Sequence, residues 1–508
     1  MTTEDYAQHF TPLPAVDLAY DLIDALYGPP RHPRLIDPAC GEGAFLFRAI
    51  ERGLTSPDRV FGIERDPELA CRFFGGRHGP RAAVADALGG LAAPGAFDLV
   101  VANPPYGTGA AGLREIGERE AARLAEIYAL WALPRRPARV PLGRLRSYPA
   151  ELLFLELCLS LVRPGGYVAM IVPEGIAANA RYAPARARLL STVQLDAVIS
   201  LPKSTFRRTG AAAKTVLLLM TATPPGPAHR VLLGEVGDWP AGAQSLSSVA
   251  HHRQSDPQLI HRLDPAYWHP SYDELLAACR LPLQPLGDFI SDLTYGPIVT
   301  GRDAATADCG PRTADSGRTV ALVNQGQVGF CGVDLTAAPL VAAAGPWVSA
   351  RSRLQPGDVV LPRSGEGSLG KHRVAVFLDD RPAGVGSFVD LIRLQGLNPF
   401  YLAAFLKSTL GRSQVSRVAN GVGVPNISFD EIRRLQVPAL PERAQQAIER
   451  RYRRDVLPLH QQATRRHAAL QRTASDPRRD PELRQLRDAG EKTWGEVIGE
   501  LDQTVLWL

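Results

Sequence analysis

The stretch Asp37-Pro-Ala-Cys-Gly-Glu-Gly43 decides the fold that we predict for this chain of 508 residues. It stands between Arg34–Asp37, a short apolar run typical of a strand, and Ala44–Arg52, an apolar segment typical of a helix. Glycines at such a turn let the backbone pass close to a ligand. The third glycine of the dinucleotide fingerprint is missing, so the loop suits a ligand with an amino acid end.

Two acidic residues stand where the next predicted strands end. Arg59–Glu64 is the second strand and ends on Glu64, and Asp86 lies at a plausible end of a third. Glu64 is placed to take both hydroxyls of a ribose, and Asp86 to accept from an adenine amino group. A lone Gly-x-Gly turn is often only a turn, and such an acid often caps a helix. Their order at successive strand ends favours a cofactor site.

The tetrapeptide Asn103-Pro104-Pro105-Tyr106 follows the apolar strand Phe97–Ala102. Its two prolines fix the backbone and remove two N–H donors, so nearby carbonyls can be aimed outward. With the side-chain oxygen of Asn103, they can hold a planar NH2 group and favour positive charge on its nitrogen. Tyr106 offers a face on which a base can stack. The alternative is a stiff structural loop.

In this order, the motifs resemble the class I S-adenosylmethionine-dependent methyltransferases, and the tetrapeptide resembles the (N/D/S)PP(Y/F/W) motif of the N6-adenine methyltransferases. Thr11, in His9-Phe-Thr-Pro12, resembles the upstream residue that helps to hold the methionine carboxylate. The resemblance implies S-adenosylmethionine as cofactor, with no strong general base and no metal required. The cofactor-binding residues that it implies are Thr11, Asp37, Pro38, Ala39, Gly41, Gly43, Glu64 and Asp86.

A second aromatic residue precedes the late predicted strand Lys214–Leu219. In the DNA enzymes that the chain resembles, an aromatic residue at this place sandwiches the extruded base, which implies such a role for Phe206. A core phenylalanine that anchors a loop is the alternative. Because the target nitrogen is inaccessible in a duplex, the base must be flipped out.

Residues 282–440 change character, with short strands separated by Gly, Pro and Asp. Motifs such as Leu354–Leu361 and Pro425–Ile432 resemble one target-recognition domain of the type I restriction specificity subunits. The segment from Glu442 resembles the spacer helix that follows such a domain. Arginine or lysine suits guanine and asparagine suits adenine, so the candidate base contacts are Arg363, Lys371 and Asn420. An unrelated β-rich accessory domain is the competing interpretation.

The predicted fold class is α/β, with a doubly wound, mostly parallel sheet followed by an α+β domain and C-terminal helices. We predict a catalytic domain at 1–221, a connector at 222–281, a recognition domain at 282–440 and a helical region at 441–508. The arginines of the last region either follow phosphates or form a solvated face that pairs with nearby acids such as Glu449 and Asp455.

Composition sets further limits. Hydrophobic residues make up 45% and charged residues 21% of the chain, as in ordinary globular proteins. No stretch approaches the ~20 apolar residues that span a bilayer, and we expect no export signal and no membrane contact. The six scattered cysteines form no CxxC pair, so we expect no zinc site and a reducing cytoplasm. A net charge of +5 permits a polyanionic partner.

The order of donor motifs, tetrapeptide and recognition region resembles the gamma class of amino-methyltransferases. The resemblance implies a site-specific DNA adenine-N6 methyltransferase that acts on double-stranded DNA. Its resemblance implies a restriction-modification or related anti-phage role, with a restriction or defence-system subunit as a candidate partner. The tetrapeptide also occurs in protein glutamine N5-methyltransferases and in some RNA amino-methyltransferases, so both remain alternatives, as does a non-catalytic DNA-binding module. The residues ahead of Asp37 are too few for a nuclease domain.

Overall fold

The described residues divide into two compact units, one within residues 1–270 and the other within residues 271–508. The computed structural model describes residues 10–28, 31–74, 79–89, 94–106, 119, 149–202, 204–206, 214–237, 246–299, 319–419 and 426–506.

The strands of the first unit are β1 (Leu35–Asp37), β2 (Val60–Glu64), β3 (Arg81–Val84), β4 (Phe97–Ala102), β5 (Val162–Pro173), β6 (Gln194–Ser200), β7 (Thr215–Thr221), β8 (Arg230–Val236) and β9 (Leu246–Arg253). They form one sheet in the order β3-β2-β1-β4-β5-β7-β6-β8-β9. Most neighbouring pairs are parallel. The antiparallel pairs are β5 with β7, β7 with β6, and β8 with β9.

Helices cover both faces of this sheet. Leu99 and Val101 of β4 share a buried cluster with helices Leu13–Tyr27 and Ala44–Glu51. Val100 and Ala102 point to the opposite face, where helices Ala150–Leu161 and Ala183–Thr192 pack. Alternate residues of a strand are thus buried on opposite sides, which explains why its sequence is continuously apolar. The expected doubly wound, mostly parallel α/β sheet is confirmed. The remaining helices of this unit are Pro67–Phe74, Glu174–Ala178 and Gln258–His261.

The segment that we expected to be a connector, 222–281, differs from that expectation. Residues 230–236 and 246–253 form strands β8 and β9, and β8 pairs in parallel with β6. Residues up to Pro270 belong to the same compact unit as the sheet. The prolines at 224–227 mark the turn into β8 and do not end the domain. The catalytic-domain boundary expected at residue 221 therefore cuts through a continuous sheet.

The second unit contains shorter strands, as its sequence predicts. They are β10 (Leu283–Pro285), β11 (Ile290–Tyr295), β12 (Thr319–Val323), β13 (Leu340–Ala342), β14 (Val359–Pro362), β15 (Ala375–Val376), β16 (Ala383–Val385), β17 (Val389–Leu394) and β18 (Gln436–Pro438). They form sheets in the orders β10-β18, β11-β17-β14-β15 and β13-β12-β16. Its helices are Pro270–Ala277, which begins at the unit boundary, Pro399–Phe405, Thr409–Val418, Phe429–Arg434, Glu442–Arg451, Leu457–Arg472 and Pro481–Val505.

The C-terminal helices share a core with the β-rich part of this unit. Tyr452 and Trp494 are buried with Phe400, and their rings lie edge to face, with centroids 5.1 Å apart. Val497 and Leu501 of the last helix enter the same cluster. The predicted helical C-terminal region is confirmed, and both of its ends contribute to the core of the second unit.

Candidate active site

The loop after β1 is held in a conformation that only glycine adopts readily. Gly41 and Gly43 have φ angles of 53° and 80°, in the left-handed region. Gly43 also stands at the N-cap of helix Ala44–Glu51. The backbone N–H of Cys40 donates to the Ile63 carbonyl at 2.9 Å, which ties the loop to β2. The glycines therefore let the backbone of the loop lie close to the carboxyl edge of the sheet.

Glu64 organises the same loop from the end of β2. Its Oε2 accepts from the backbone N–H of Gly41 at 2.8 Å, and its Oε1 accepts from that of Asp66 at 2.9 Å. Each carboxylate oxygen keeps further lone-pair capacity, so Glu64 can also accept from two hydroxyl groups of a ligand. Asp86 follows β3, and its Oδ1 accepts from the backbone N–H of Leu88 at 3.1 Å. Its side chain remains 53% exposed and open to a further donor.

Asp37 is the most deeply buried acid of the group, with 3% exposure. Burial, with a smaller contribution from the nearby carboxylate of Glu64, raises its pKa to about 7. The backbone N–H of Ala39 donates to Oδ1 at 2.9 Å and partly offsets this effect. A cationic partner, such as an ammonium group, would stabilise the ionised form of this buried carboxylate.

These residues surround one cleft, whose empty volume is about 930 Å³ with the solvent at its mouth included. That volume lies in the usual range of ligand pockets, about 300–1,000 Å³. The cleft joins most of the predicted cofactor residues to two residues of the tetrapeptide: Thr11, Asp37, Pro38, Ala39, Gly41, Glu64, Asp86, Asn103 and Pro105. Gly43 is the predicted cofactor residue that does not line the cleft, because it lies behind the loop at the start of the helix.

Apolar residues that we did not predict complete the cleft. Ile63 and Leu88 stand next to the two acids in sequence, and Phe10 and Phe154 come from distant segments. Such side chains suit a planar ring, since they exclude water from its faces. Leu88 could have been found from its spacing to Asp86. Phe154 lies in the largely apolar, buried helix Ala150–Leu161 and carries no distinguishing signal.

Asn103 sits at the end of β4 with both ends of its carboxamide engaged. Its Nδ2 donates to Oγ1 of Thr11 at 2.9 Å. Its Oδ1 accepts a hydrogen bond from the Tyr106 hydroxyl. Pro104 is buried, whereas Pro105 lines the cleft. The side chain that we expect to meet a planar amine thus has a fixed orientation, with its oxygen on the Tyr106 side.

Tyr106 and Phe206 contact each other directly. Their ring centroids lie 6.4 Å apart with the planes at 89°, an edge-to-face arrangement. Phe206 is only 1% exposed. Burial raises the pKa of Tyr106, and Glu151 adds to the rise, so its hydroxyl stays protonated and remains a donor. The structure therefore brings the two predicted aromatics together, in a state where they pack on one another.

The predicted DNA contacts in the second unit differ in their surroundings. The guanidinium of Arg363 lies 4.2 Å from the ring centroid of Tyr295, and its Nε lies 3.7 Å from Oδ1 of the buried Asp390. Burial raises the pKa of Asp390 to about 7, although Arg363 acts to lower it. Arg363 thus has a structural role as well as any role towards DNA. Lys371 is exposed, and Asn420 lies outside the described residues.

The arginines of the C-terminal helices are mostly paired within their own region. Arg453 bonds to Glu449 at 2.8 Å, Arg454 to Asp455 at 2.7 Å, and Arg466 to Asp480 at 2.7 Å. These contacts favour the solvated, self-paired face over a row of phosphate contacts.

Among the described ranges, no group of three or more His, Cys, Asp or Glu side chains could hold a metal ion. The helices of the described part of the chain are too short or too polar to cross a membrane.

Comparisons with known proteins address the class of the first unit. Residues 2–235 match the family of N-6 DNA Methylases. The match supports the methyltransferase class that the sequence predicts for this region. It ends within β8, so it covers β1 to β7 and the residues of the cleft, but neither β9 nor the second unit.

A curated relative is the Type II methyltransferase M.TthHB8I of Thermus thermophilus, 32% identical over 145 residues. That alignment covers 28% of this chain and 30% of the relative, so the chain spans less than a third of that protein.

Solved structures resemble the whole chain more loosely. The type IIG restriction endonuclease BpuSI is 12% identical with a TM-score of 0.46, over 97% of this chain and 66% of that one. The type IIL restriction-modification enzyme MmeI, solved in complex with DNA, is 12% identical with a TM-score of 0.48, over 96% and 74%. Both scores are below 0.5, so these likenesses add no functional argument.

Proposed function

We propose that this protein is a site-specific DNA adenine-N6 methyltransferase that uses S-adenosylmethionine. The observation that carries the proposal is the single cleft that joins Glu64 and Asp86 to Asn103 and Pro105. A donor bound along the acids would end beside the tetrapeptide. The family match over residues 2–235 supports the same conclusion.

The cleft has the chemistry that S-adenosylmethionine needs. Glu64 would accept from the ribose hydroxyls and Asp86 from the adenine amino group, with Ile63 and Leu88 against the ring. Asp37 and the loop around Gly41 would lie against the methionine end, where the ammonium group would favour the ionised form of Asp37. The bound cofactor supplies a methyl group activated on a sulfonium.

The residues of the tetrapeptide would act on the acceptor amine. The Asn103 side-chain oxygen and the carbonyls of Asn103 and Pro104 accept hydrogen bonds from a planar NH2 group. These acceptors interact more strongly as positive charge develops on the nitrogen, so they stabilise the transition state more than the ground state. Burial of the site strengthens this effect, because water no longer screens it.

Tyr106 and Phe206 would receive the flipped base. Their edge-to-face contact leaves no ring face of Phe206 open, since it is 1% exposed. A base that stacks here must therefore separate the two rings, which costs roughly the 0.5–1.5 kcal/mol of an aromatic pair. Stacking of the base on one or both rings offsets that cost.

The second unit would supply sequence recognition, through Lys371, Asn420 and the exposed part of Arg363. Its α+β architecture and its position after the catalytic unit in sequence support a target-recognition domain. We further propose a role in restriction-modification in the cytoplasm. A restriction or defence-system subunit is a candidate partner.

Labelled S-adenosylmethionine tests the proposal directly. The protein is incubated with plasmid DNA, total RNA or a release factor, and the modified unit is identified after digestion. N6-methyladenine in DNA is the expected product, and sequencing of the modified plasmid gives the recognition site. Label confined to RNA or to a glutamine of the release factor would establish one of the alternative activities.

A further inference from the structure

We propose that the Thr11 hydroxyl is a positioning group that couples the donor cleft to the target amine by orienting the Asn103 carboxamide. The inference rests on the proposed function, and it assigns Thr11 a second task besides contact with the donor.

The geometry joins two segments that are distant in sequence. Thr11 precedes helix Leu13–Tyr27, whose N-cap is Pro12, and Asn103 follows β4. Both residues line the donor cleft. Nδ2 of Asn103 donates to Oγ1 of Thr11 at 2.9 Å, a normal length for such a bond. Thr11 therefore lines the cleft and is bonded to the one side chain of the tetrapeptide that has an amide group.

The two ends of a carboxamide have opposite hydrogen-bonding character, so its orientation decides what it can bind. The oxygen accepts and the nitrogen donates. Only the oxygen end can hold an NH2 group; the nitrogen end would present donors to donors. In the structure, Nδ2 is bonded to Thr11 and Oδ1 lies on the Tyr106 side. The bond to Thr11 therefore keeps the oxygen end of the carboxamide available to the target amine.

The Thr11 hydroxyl has one proton, so its hydrogen bond with Asn103 depends on whether the methyl donor is bound. While Oγ1 accepts from Asn103, its own proton is left to donate elsewhere. Within the described residues, the bond from Asn103 is the one hydrogen bond of Thr11 Oγ1. The carboxylate of a bound methyl donor would accept a hydrogen bond from the Thr11 hydroxyl. Oγ1 would then remain an acceptor towards Asn103. An occupied cleft thus fixes the carboxamide, and a fixed carboxamide favours binding in the cleft, since such coupling is reciprocal.

Four proteins test the coupling without any DNA: the wild type, Thr11→Val, Asn103→Ala and the double variant. Valine has the shape of threonine without its hydroxyl. The affinity for S-adenosylhomocysteine, which has the same carboxylate, is measured by calorimetry. We expect Asn103→Ala to weaken binding by about threefold when Thr11 is present and to have no effect in the Thr11→Val background. Equal effects in the two backgrounds would overturn the inference.

A second measurement addresses the reaction. Thr11→Val should lower kcat for DNA roughly tenfold, as expected for one lost bond that holds a reactive geometry, while Thr11→Ser should restore it. In an Asn103→Asp background, which has no amide nitrogen to misplace, Thr11→Val should change kcat little. A Thr11→Val enzyme with unchanged kcat and a raised KM for S-adenosylmethionine would show a donor contact alone. A wild-type protein that does not methylate DNA would fail the proposed function, yet the binding cycle would still decide the role of Thr11.

Discussion

Asn103 is the residue on which the proposed reaction depends most directly, because two hydrogen bonds orient its carboxamide and it lines the cleft. Asn103→Ala should reduce methyl transfer by at least about 100-fold, the order found when one transition-state acceptor or donor is removed. Affinity for S-adenosylhomocysteine should stay within several-fold of the wild type. Transfer to DNA is measured by label incorporation, and substantial activity in this variant would disprove the role.

Asp37 makes a prediction about pH. Its pKa is about 7 in the free protein because it is buried, and an ammonium group beside it would lower that pKa. Binding of the ligand then favours the ionised form of Asp37. The affinity for S-adenosylhomocysteine should therefore increase as pH rises to about 7 and should level off above it. Below pH 7, affinity should fall by up to about tenfold per pH unit.

The control for this prediction is Asp37→Asn, which cannot ionise. Its affinity for S-adenosylhomocysteine should be lower and nearly flat between about pH 5.5 and 8. Calorimetry at several pH values measures both proteins. A wild-type profile as flat as that of the variant would mean that Asp37 does not meet a cation.

Single-residue contacts across long sequence distances were the least predictable feature. The acids at the strand ends could be found because each follows an apolar run. The bond between Thr11 and Asn103 joins residues 92 positions apart, and no local pattern encodes it. The burial of Phe206 against Tyr106 likewise depends on packing between β4 and the turn after β6.

At the scale of elements, β2 lies so close to the loop after β1 and to helix Ala44–Glu51 that position 62 requires glycine. A Cβ atom at Gly62 would lie 2.7 Å from Sγ of Cys40 and 2.8 Å from Cδ1 of Leu46. Gly62→Ala should therefore destabilise the protein by about 1–3 kcal/mol, as overpacking of a core does. Gly237→Ala is the control, since no atom lies within 4 Å of its Cβ position. Urea unfolding distinguishes the two, and equal midpoints would contradict the expectation.

The ends of β5, β6 and β7 are joined by a largely buried ion pair. Nζ of Lys214 lies 2.7 Å from Oε1 of Glu174, which also accepts from the Ser200 hydroxyl at 3.4 Å, and the two charged side chains are 23% and 13% exposed. Lys214 and Ser200 flank the segment that carries Phe206. Lys214→Met would leave the Glu174 carboxylate without its cation and should cost about 2 kcal/mol, between the cost expected for a surface pair and that for a fully buried pair.

A surface pair in the same unit provides the comparison. Arg163 lies 2.6 Å from Asp98, but its side chain is 49% exposed. Arg163→Met should therefore cost less than about 1 kcal/mol. Thermal unfolding of both variants measures the difference, and a Lys214→Met protein as stable as Arg163→Met would mean that the buried pair contributes little.

The elements themselves were largely predictable where their sequence is uniformly apolar. Phe97–Ala102 is a strand with the same bounds as expected, and the helix Ala44–Glu51 ends one residue earlier than expected. Strands β8 and β9 were missed because their sequence, with residues such as Arg230, Glu235 and His251, lacks a clear period. Their strand conformation comes from pairing with the edge of β6, which is tertiary information.

At the scale of the whole molecule, the position of the first boundary has an experimental consequence. A fragment that ends at residue 221 would lose β8 and β9 and expose the edge of β6 as well as the apolar side chains of Val198 and Ile199 near it. A fragment that ends at residue 270 keeps the complete sheet. We expect the longer fragment to be monomeric and to bind S-adenosylhomocysteine, and the shorter one to aggregate. Size-exclusion chromatography and calorimetry provide the comparison, and a well-behaved shorter fragment would show that β8 and β9 are dispensable.

The order of strands in the central sheet separates the two halves of the cleft along the chain. β1, β2 and β3 extend to one side with their acids, and β4 begins the other side with Asn103. Most residues of the proposed cofactor side, up to Leu88, therefore lie in a different segment of the chain from those of the acceptor side, from Phe97 onwards, and Phe154 departs from this order. A library confined to Ile63 and Leu88 could be selected for bulkier cofactor analogues while the acceptor side stays untouched. Thr11, which belongs to the first stretch but bonds to the second, is the position to hold constant in such an experiment.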